Sequence, residues 1–385
     1  MYQRTLSSAL ERFATLYPLL GITGPRQSGK TTLARLTFPH LPYVSLENPD
    51  IRAQAIQDPR GFLERYHNGA IFDEVQHAPE LFSYLQGIVD ESPQKGRFIL
   101  TGSQNFTLSE KIIQSLAGRI GMMTLLPLSL EELGPENNPT DTIFKGGYPA
   151  IYQNDIHPME FYPSYIQTYI ERDVRQLKNI GNLGTFQTFL KLCAGRVGQT
   201  INLSSLAQDC GISQPTARQW LTILESSYLI FLLQPFYKNF SKRQIKMPKL
   251  YFYDTGLACA LLGLEKGSQL ETHYLKGALY ENLVILEALK TRLNQGKPHH
   301  LYYWRDQSGH EVDLIAEWGG NTHGIEIKSS STFQPDFIKN LKFIQNLSSS
   351  ITGHLVYSGT QEGTYAGISL VPLKKFTPYA IELTS

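Results

Sequence analysis

The stretch Gly24-Pro25-Arg26-Gln27-Ser28-Gly29-Lys30-Thr31-Thr32 follows directly on the short apolar run Pro18–Thr23. The outer glycines let the backbone turn tightly enough for successive N–H groups to face one anion. Lys30 adds a positive charge for phosphate oxygens, and Thr31 adds a hydroxyl for a Mg²⁺ ion. A helix starting here contributes its N-terminal partial charge. Gly-x-x-x-x-Gly-Lys-Thr between a strand and a helix is a phosphate-binding loop. A plain glycine turn before a helix would have no use for Lys30-Thr31.

A loop of this kind needs a sheet to carry it, and the surrounding pattern supplies one. Leu6, Leu10, Phe13 and Leu16 recur at helical spacing, and short apolar runs lie at 43–46, 70–72, 98–100 and 122–126 with helical segments between them. Such alternation predicts an α/β fold with a parallel sheet and helices on its faces. The run Ala70-Ile71-Phe72 ends in Asp73-Glu74. At a strand end facing the phosphates, Asp73 would orient the Mg²⁺ shell and Glu74 would polarise the attacking water. Phe98-Ile99-Leu100 ends in Thr101-Gly102-Ser103-Gln104-Asn105, placing Thr101, Ser103 or Asn105 beside them; the other reading of these small polar residues is a turn with local hydrogen bonds. Arg119, in Leu116-Ala117-Gly118-Arg119, has two readings as well. It is either a cation that reaches a neighbouring subunit's γ-phosphate or a surface arginine at a helix end.

Composition narrows the class. With 385 residues, 41% hydrophobic and 18% charged, the chain is long enough for two or three ordinary domains. Disordered, collagenous and coiled-coil proteins are excluded. A net charge of +1 excludes a globally basic nucleic-acid binder but not a local basic face. Cys193, Cys210 and Cys259 match no metal spacing and read as reduced thiols. No signal-length or membrane-spanning apolar run is seen, so a soluble, cytoplasmic protein without membrane partners is expected. Loop-like composition near 134–149 suggests a boundary, giving expected domains at 1–134, 135–270 and 271–385.

In the middle part, Ile201–Ala207, Gly211, Ser213 and Gln214–Leu224 read as helix, turn, N-cap and second helix, followed by a strand at Tyr228–Leu233. This is the order of a winged helix. Residues 163–250 hold eleven basic side chains against four acidic ones, among them Lys238, Lys242, Arg243, Lys246 and Lys249. Gln214, Thr216, Arg218 and Gln219 are types that contact bases or phosphates. DNA contact and simple protein packing both fit this segment.

Near the end, His310-Glu311-Val312-Asp313-Leu314-Ile315 alternates as a strand, Trp318-Gly319-Gly320-Asn321 turns, and Gly324-Ile325-Glu326-Ile327-Lys328 returns. A hairpin brings Asp313, Glu326 and Lys328 together. This pattern resembles the PD-(D/E)xK nuclease core, with Glu281 as its upstream acid. The resemblance implies a second metal site at Glu281, Asp313, Glu326 and Lys328, with carboxylates on Mg²⁺ and lysine on the water or phosphate. The plain alternative is a cross-strand ion pair.

Taken together, the phosphate loop, Phe72-Asp73-Glu74-Val75-Gln76, Leu100-Thr101-Gly102-Ser103 and Leu116-Ala117-Gly118-Arg119 resemble the AAA+ ATPase core. With Pro127-Leu128-Ser129, Gly146-Gly147-Tyr148-Pro149 and Tyr169-Ile170-Glu171-Arg172-Asp173, nearly the whole chain is similar to AAA+ proteins that carry a C-terminal DUF4143 domain. That resemblance implies ATP and Mg²⁺ as cofactors, ATP hydrolysis and homo-oligomeric self-association. Two functions stand side by side: an ATPase acting on DNA through its C-terminal half, or a nucleotide-gated binding module that recognises DNA or protein without cutting.

Overall fold

Strand β1 (Leu19–Thr23) lies between β4 (Phe98–Thr101) and β5 (Ile120–Thr124), and β3 (Ala70–Asp73) and β2 (Tyr43–Ser45) extend the sheet beyond β4. The order is β2-β3-β4-β1-β5 and every neighbouring pair is parallel. In this computed structural model, residues 2–103, 116–169, 182–236 and 247–384 are described. The strands read as nearly continuous apolar runs because both faces are buried. Leu19, Ala70, Phe72, Phe98 and Leu100 fill a core on one side, while Leu20, Ile22, Ile71 and Ile99 fill a second with Leu6, Leu10, Leu33 and Ala34 from the helices Leu6–Ala14 and Lys30–Thr37. The expected strand at 122–126 begins two residues earlier, where Ile120 pairs with Leu19 just after Gly118 turns the chain at φ +75°.

Contacts divide the chain into two compact units. One comprises Met1–Pro127, Ser226–Tyr228 and Leu293–Pro298, and the other Leu128–Glu225, Leu229–Arg292 and His299–Ser385. The parallel sheet belongs to the first.

The second unit explains several of the motifs as structural. Ser129 caps the Leu130–Leu133 helix in a reciprocal box with Glu132. Gly146, at φ +70°, has no room for a side chain: a Cβ there would lie 1.9 Å from the Tyr162 hydroxyl and 2.3 Å from Asp254. The buried Asp254 carboxylate accepts from Gly147 N at 2.7 Å, the Tyr162 hydroxyl at 2.6 Å and Leu257 N at 2.9 Å. Gly146-Gly147-Tyr148-Pro149 is thus a packing corner around one buried carboxylate. The Ile170–Asp173 part of the last motif lies outside the described residues.

The helices Leu203–Cys210 and Gln214–Ser226 flank the turn at Gly211 (φ +67°), with Asn202 and Ser213 as their N-caps. An antiparallel pair follows, β6 (Ile230–Leu233) and β7 (Lys249–Phe252), and Thr200 bridges β7 at Lys249. Lys238, Lys242, Arg243 and Lys246 lie outside the described residues. Lys249, expected among these basic residues near the wing, is instead buried at 2% exposure.

The long helix Lys276–Asn294 buries residues on nearly every side, including Leu279, Leu283, Leu286 and Ala288. It precedes the six-stranded mixed sheet of β8 (Leu301–Arg305), β9 (Glu311–Trp318), β10 (Asn321–Lys328), β11 (Ile351–Tyr357), β12 (Gly363–Tyr365) and β13 (Ile368–Pro372), ordered β12-β13-β11-β10-β9-β8. The predicted hairpin is β9–β10, with Gly324 opposite Ile315. The three cysteines are free and buried. Among the described residues no helix is long and apolar enough to cross a membrane.

Strands β10 and β11 also hold a buried histidine pair. His323 Nδ1 and His354 Nε2 share a 3.0 Å hydrogen bond, and His354 Nδ1 lies 2.7 Å from the Tyr379 hydroxyl. Burial, then His323, pushes His354 from its usual 6.5 down to about 3. Unfolded histidine takes up a proton near pH 6.5 and folded His354 only near pH 3. Stability present above pH 6.5 is therefore lost as the pH falls through this window, at about 1.4 kcal/mol per pH unit. Denaturant unfolding between pH 4 and 7 is expected to show this slope, and His354→Gln to reduce it.

Candidate functional site

The loop after β1 has the conformation its sequence implies. Gly24 (φ +141°), Gln27 (φ +60°) and Gly29 (φ +93°) are left-handed positions, and a Cβ at Gly24 would sit 2.1 Å from the Leu125 carbonyl oxygen. Ser28 is buried, Arg26 half-buried, and Gln27 and Thr32 exposed. Pro25 and Gly24 offer their carbonyls to Lys30, whose Nζ donates to them at 2.7 and 3.0 Å. Burial lowers Lys30 to about 8 against the pull of the Glu74 and Asp73 carboxylates. An ammonium at 6% exposure, held mainly by carbonyl dipoles, is matched to an incoming anion.

The sheet order places β4 between β1 and β3, so the ends of all three strands converge on this loop. Thr31 Oγ1 donates to both Asp73 oxygens, at 3.0 and 3.1 Å. Thr101 and Tyr43 also donate to Asp73, Tyr43 at 2.8 Å. Burial and the Asp73 carboxylate push the Tyr43 phenol up to about 12. Glu74 sits at φ +55°, an uncommon backbone position for a non-glycine residue. Its Oε2 accepts from the Ser103 hydroxyl at 3.0 Å and from Gln76. An open cleft of about 610 Å³ beside the loop is lined by Thr31, Thr32, Arg35, Leu36 and Tyr43. Hard oxygen donors at Thr31 and Asp73, next to a cationic loop, fit a Mg²⁺–nucleotide. Asn105 lies outside the described residues.

Arg119 lies elsewhere. Its carbonyl accepts from Leu19 N at the start of β1, the sheet edge opposite the loop. Its guanidinium grips Asp90 in two bonds, 2.6 and 2.8 Å.

Two residues escaped the sequence reading. Tyr43 looked like an ordinary strand residue. Arg4 is buried and donates to the Ser28 carbonyl and the Leu126 carbonyl, each at 2.6 Å, tying the loop to the segment after β5. Neither belongs to a motif, and only the chain's return to the loop reveals them.

In the second unit, Glu281, Asp313, Glu326 and Lys328 do come together, but not as a metal cage. Among the described residues no three Asp, Glu, His or Cys side chains form a group that could hold a metal ion. Lys328 Nζ lies 2.6 Å from Glu326 and 3.6 Å from Asp313. Lys249 Nζ lies 3.0 Å from Glu281 and also pairs with Glu311. Burial raises Glu281 to about 7 despite Lys249, and burial followed by Asp313 raises Glu326 well above the carboxylate range. Glu281, Asp313 and Glu326 each face a lysine, and Lys249 comes from a strand the motif does not contain.

Three family models match the chain: an AAA domain over residues 17–134, a domain of unknown function (DUF8612) over 137–268, and a domain of unknown function (DUF4143) over 276–376. Over 335 residues, 86% of the chain, it is 34% identical to the uncharacterized proteins Rv2008c of Mycobacterium tuberculosis and Mb2031c of Mycobacterium bovis, covering 74% of each. The chain belongs to their family. Its matched domains and loop make it an AAA-type P-loop ATPase that carries DUF4143. Among solved structures, the Walker-type ATPase PABY2304 of Pyrococcus abyssi is 17% identical, with TM-score 0.48, over 68% of this chain and 96% of that one. AMPPCP-bound DnaA from Aquifex aeolicus is 14% identical, with TM-score 0.31, over 57% of this chain and 85% of that one. In this AAA-type ATPase the phosphate loop, Asp73 and Glu74 lie within the AAA segment, while Asp313, Glu326 and Lys328 lie within DUF4143.

Proposed function

We propose that this AAA-type chain is a Mg²⁺-dependent ATPase whose nucleotide state gates binding of DNA by its second unit, without cleavage. The observation that carries the first part is the convergence of Lys30, Thr31, Asp73, Glu74 and Ser103 at the ends of three adjacent strands. Within Gly24 to Thr32 every residue but Pro25 offers a backbone N–H to the phosphates, and Lys30 turns from the Gly24 and Pro25 carbonyls to the phosphate oxygens. Thr31 and Asp73 hold the Mg²⁺, which when bound neutralises phosphate charge. Glu74, held by Ser103, takes the proton of the attacking water. Chelation by EDTA is expected to stop phosphate release. Asp73→Asn is expected to raise the Mg²⁺ requirement roughly 10–100-fold, since Asp73 orients the Thr31 hydroxyl. Phosphate release indifferent to both would defeat the assignment.

The second part rests on the exposed face of the Gln214–Ser226 helix. Gln214, Arg218, Gln219 and Thr222 line one surface there, while Ala217, Trp220, Leu221 and Leu224 are buried. This supports a winged-helix reading of the middle part in the proposed division 1–134, 135–270 and 271–385. Fluorescence anisotropy with duplex DNA should give salt-dependent binding that differs between ATP- and ADP-loaded protein. Arg218→Ala is expected to weaken it and flatten the log–log salt slope by about one unit. Absence of DNA binding in both nucleotide states would leave a protein as the partner. Self-association on ATP binding, read by light scattering, completes this reading.

A further inference from the structure

We propose that Lys249 is the resident cation of the C-terminal carboxylate cluster, standing where a nuclease core holds a divalent metal, so that this unit neither needs nor admits one. The Lys249 side chain is 2% exposed, with Nζ 3.0 Å from Glu281 Oε1, paired with Glu311, and 5.5 Å from the centre of the Tyr303 ring. Burial works against its charge, yet Glu281, Tyr251, Asp313 and Glu311 outweigh it and keep Lys249 well above the ordinary lysine range.

The oxygens a metal would need are engaged by donors. Glu281 Oε1 accepts from Lys249 and from the Tyr251 hydroxyl. Asp313 Oδ2 accepts from Ile327 N at 2.8 Å and faces Lys328 at 3.6 Å. Glu326 Oε1 accepts from Lys328 at 2.6 Å. Glu326 Oε2 is buried with no hydrogen-bond partner. Mg²⁺ is usually bound through one or two carboxylates and keeps waters for the rest of its octahedron. Here lysines already hold one oxygen of Glu281 and one of Glu326 and face Asp313.

Charge leads to the same conclusion. Glu281, Glu311, Asp313 and Glu326 face Lys249, Lys328 and Arg305, whose Nε is 3.3 Å from Glu311. The cluster is one negative charge from balance. A divalent ion would turn that into an excess of positive charge in a buried site. Lys249 arrives on β7, outside the hairpin and the helix that supply the acids, which is why the Asp–Glu-x-Lys pattern alone gave no sign of it.

The test uses the full-length, nucleotide-free protein carrying Asp73→Asn, which weakens the phosphate-loop cation contact, and without nucleotide the result is independent of ATP hydrolysis. Free Mn²⁺ is followed by electron paramagnetic resonance and melting is recorded with and without Mn²⁺. The parent is expected to bind no Mn²⁺ at this cluster. Lys249→Met should melt lower, gain one Mn²⁺, and recover roughly 5 °C of melting temperature at saturation. Adding Glu281→Gln should remove the gained ion. If Lys249→Met folds only when refolded with Mn²⁺, the proposal is equally supported. A parent that binds one Mn²⁺ lost on Asp313→Asn overturns it, and so does a folded Lys249→Met that binds none.

Discussion

Lys30→Ala is expected to weaken ATP binding by about 10²–10⁴-fold. Charge-assisted hydrogen bonds contribute roughly 1.5–3 kcal/mol each, and loss of two such bonds to phosphate gives that range. The fold itself should not suffer. Lys30 is buried, its pKa is lowered by that burial, and its bonds stay within its own loop. Removing an unfavourably buried ammonium is expected to leave the melting temperature unchanged or raised. Calorimetric titration of ATP into wild type and variant measures the first effect, and thermal melting without nucleotide measures the second. Equal affinities would remove Lys30 from the phosphate site. A large fall in melting temperature would show that its role is structural.

The second large effect is on turnover. Glu74→Gln is expected to leave ATP affinity within about threefold while lowering the hydrolysis rate by roughly 10²–10⁴-fold, the usual contribution of a positioned general base. Gln keeps the length of the side chain and an oxygen for the Ser103 hydroxyl, so the geometry at φ +55° survives and only the charge is lost. Single-turnover phosphate release separates this from a binding defect. Ser103→Ala should give a smaller fall, since it frees the carboxylate without removing it. A Glu74→Gln protein that hydrolyses ATP at the wild-type rate would assign the base elsewhere.

The phosphate loop was legible because it is local. Its glycines, lysine and threonine act within a few bonds of one another, and the turn after β1 follows from their backbone freedom. The inner strands β1, β3 and β4 were legible for a related reason: burial on both faces makes each an apolar run between polar turns. The turn at Gly211 and the cap at Ser213 were readable from residue type alone, whereas the first helix begins at Leu203 with Asn202 as its cap and not at Ile201. Strand ends moved by a residue or two where pairing, not composition, set them, as at Ile120.

Other features depended on long-range approach. Gly146-Gly147 looked like a loop signal and is a clearance for Asp254 and Tyr162. Arg119 has two readings in the sequence, a cation for a neighbouring subunit's γ-phosphate or a surface arginine. The parallel register alone decides that it stands at the end of the sheet away from its own loop, beside Asp90. Arg4 ties the loop at Ser28 to Leu126, 122 residues on from Arg4.

Sequence by itself determined the chemistry of the nucleotide end of this protein, since a phosphate loop is a short-range arrangement of backbone and adjacent side chains. Tertiary structure decided the character of the other end. The hairpin Asp313–Lys328 carries the residue types of a metal site, and electrostatics in a buried cluster is set by whichever charges the fold delivers there. Here β7 delivers Lys249, and no periodicity or spacing along the chain encodes that encounter.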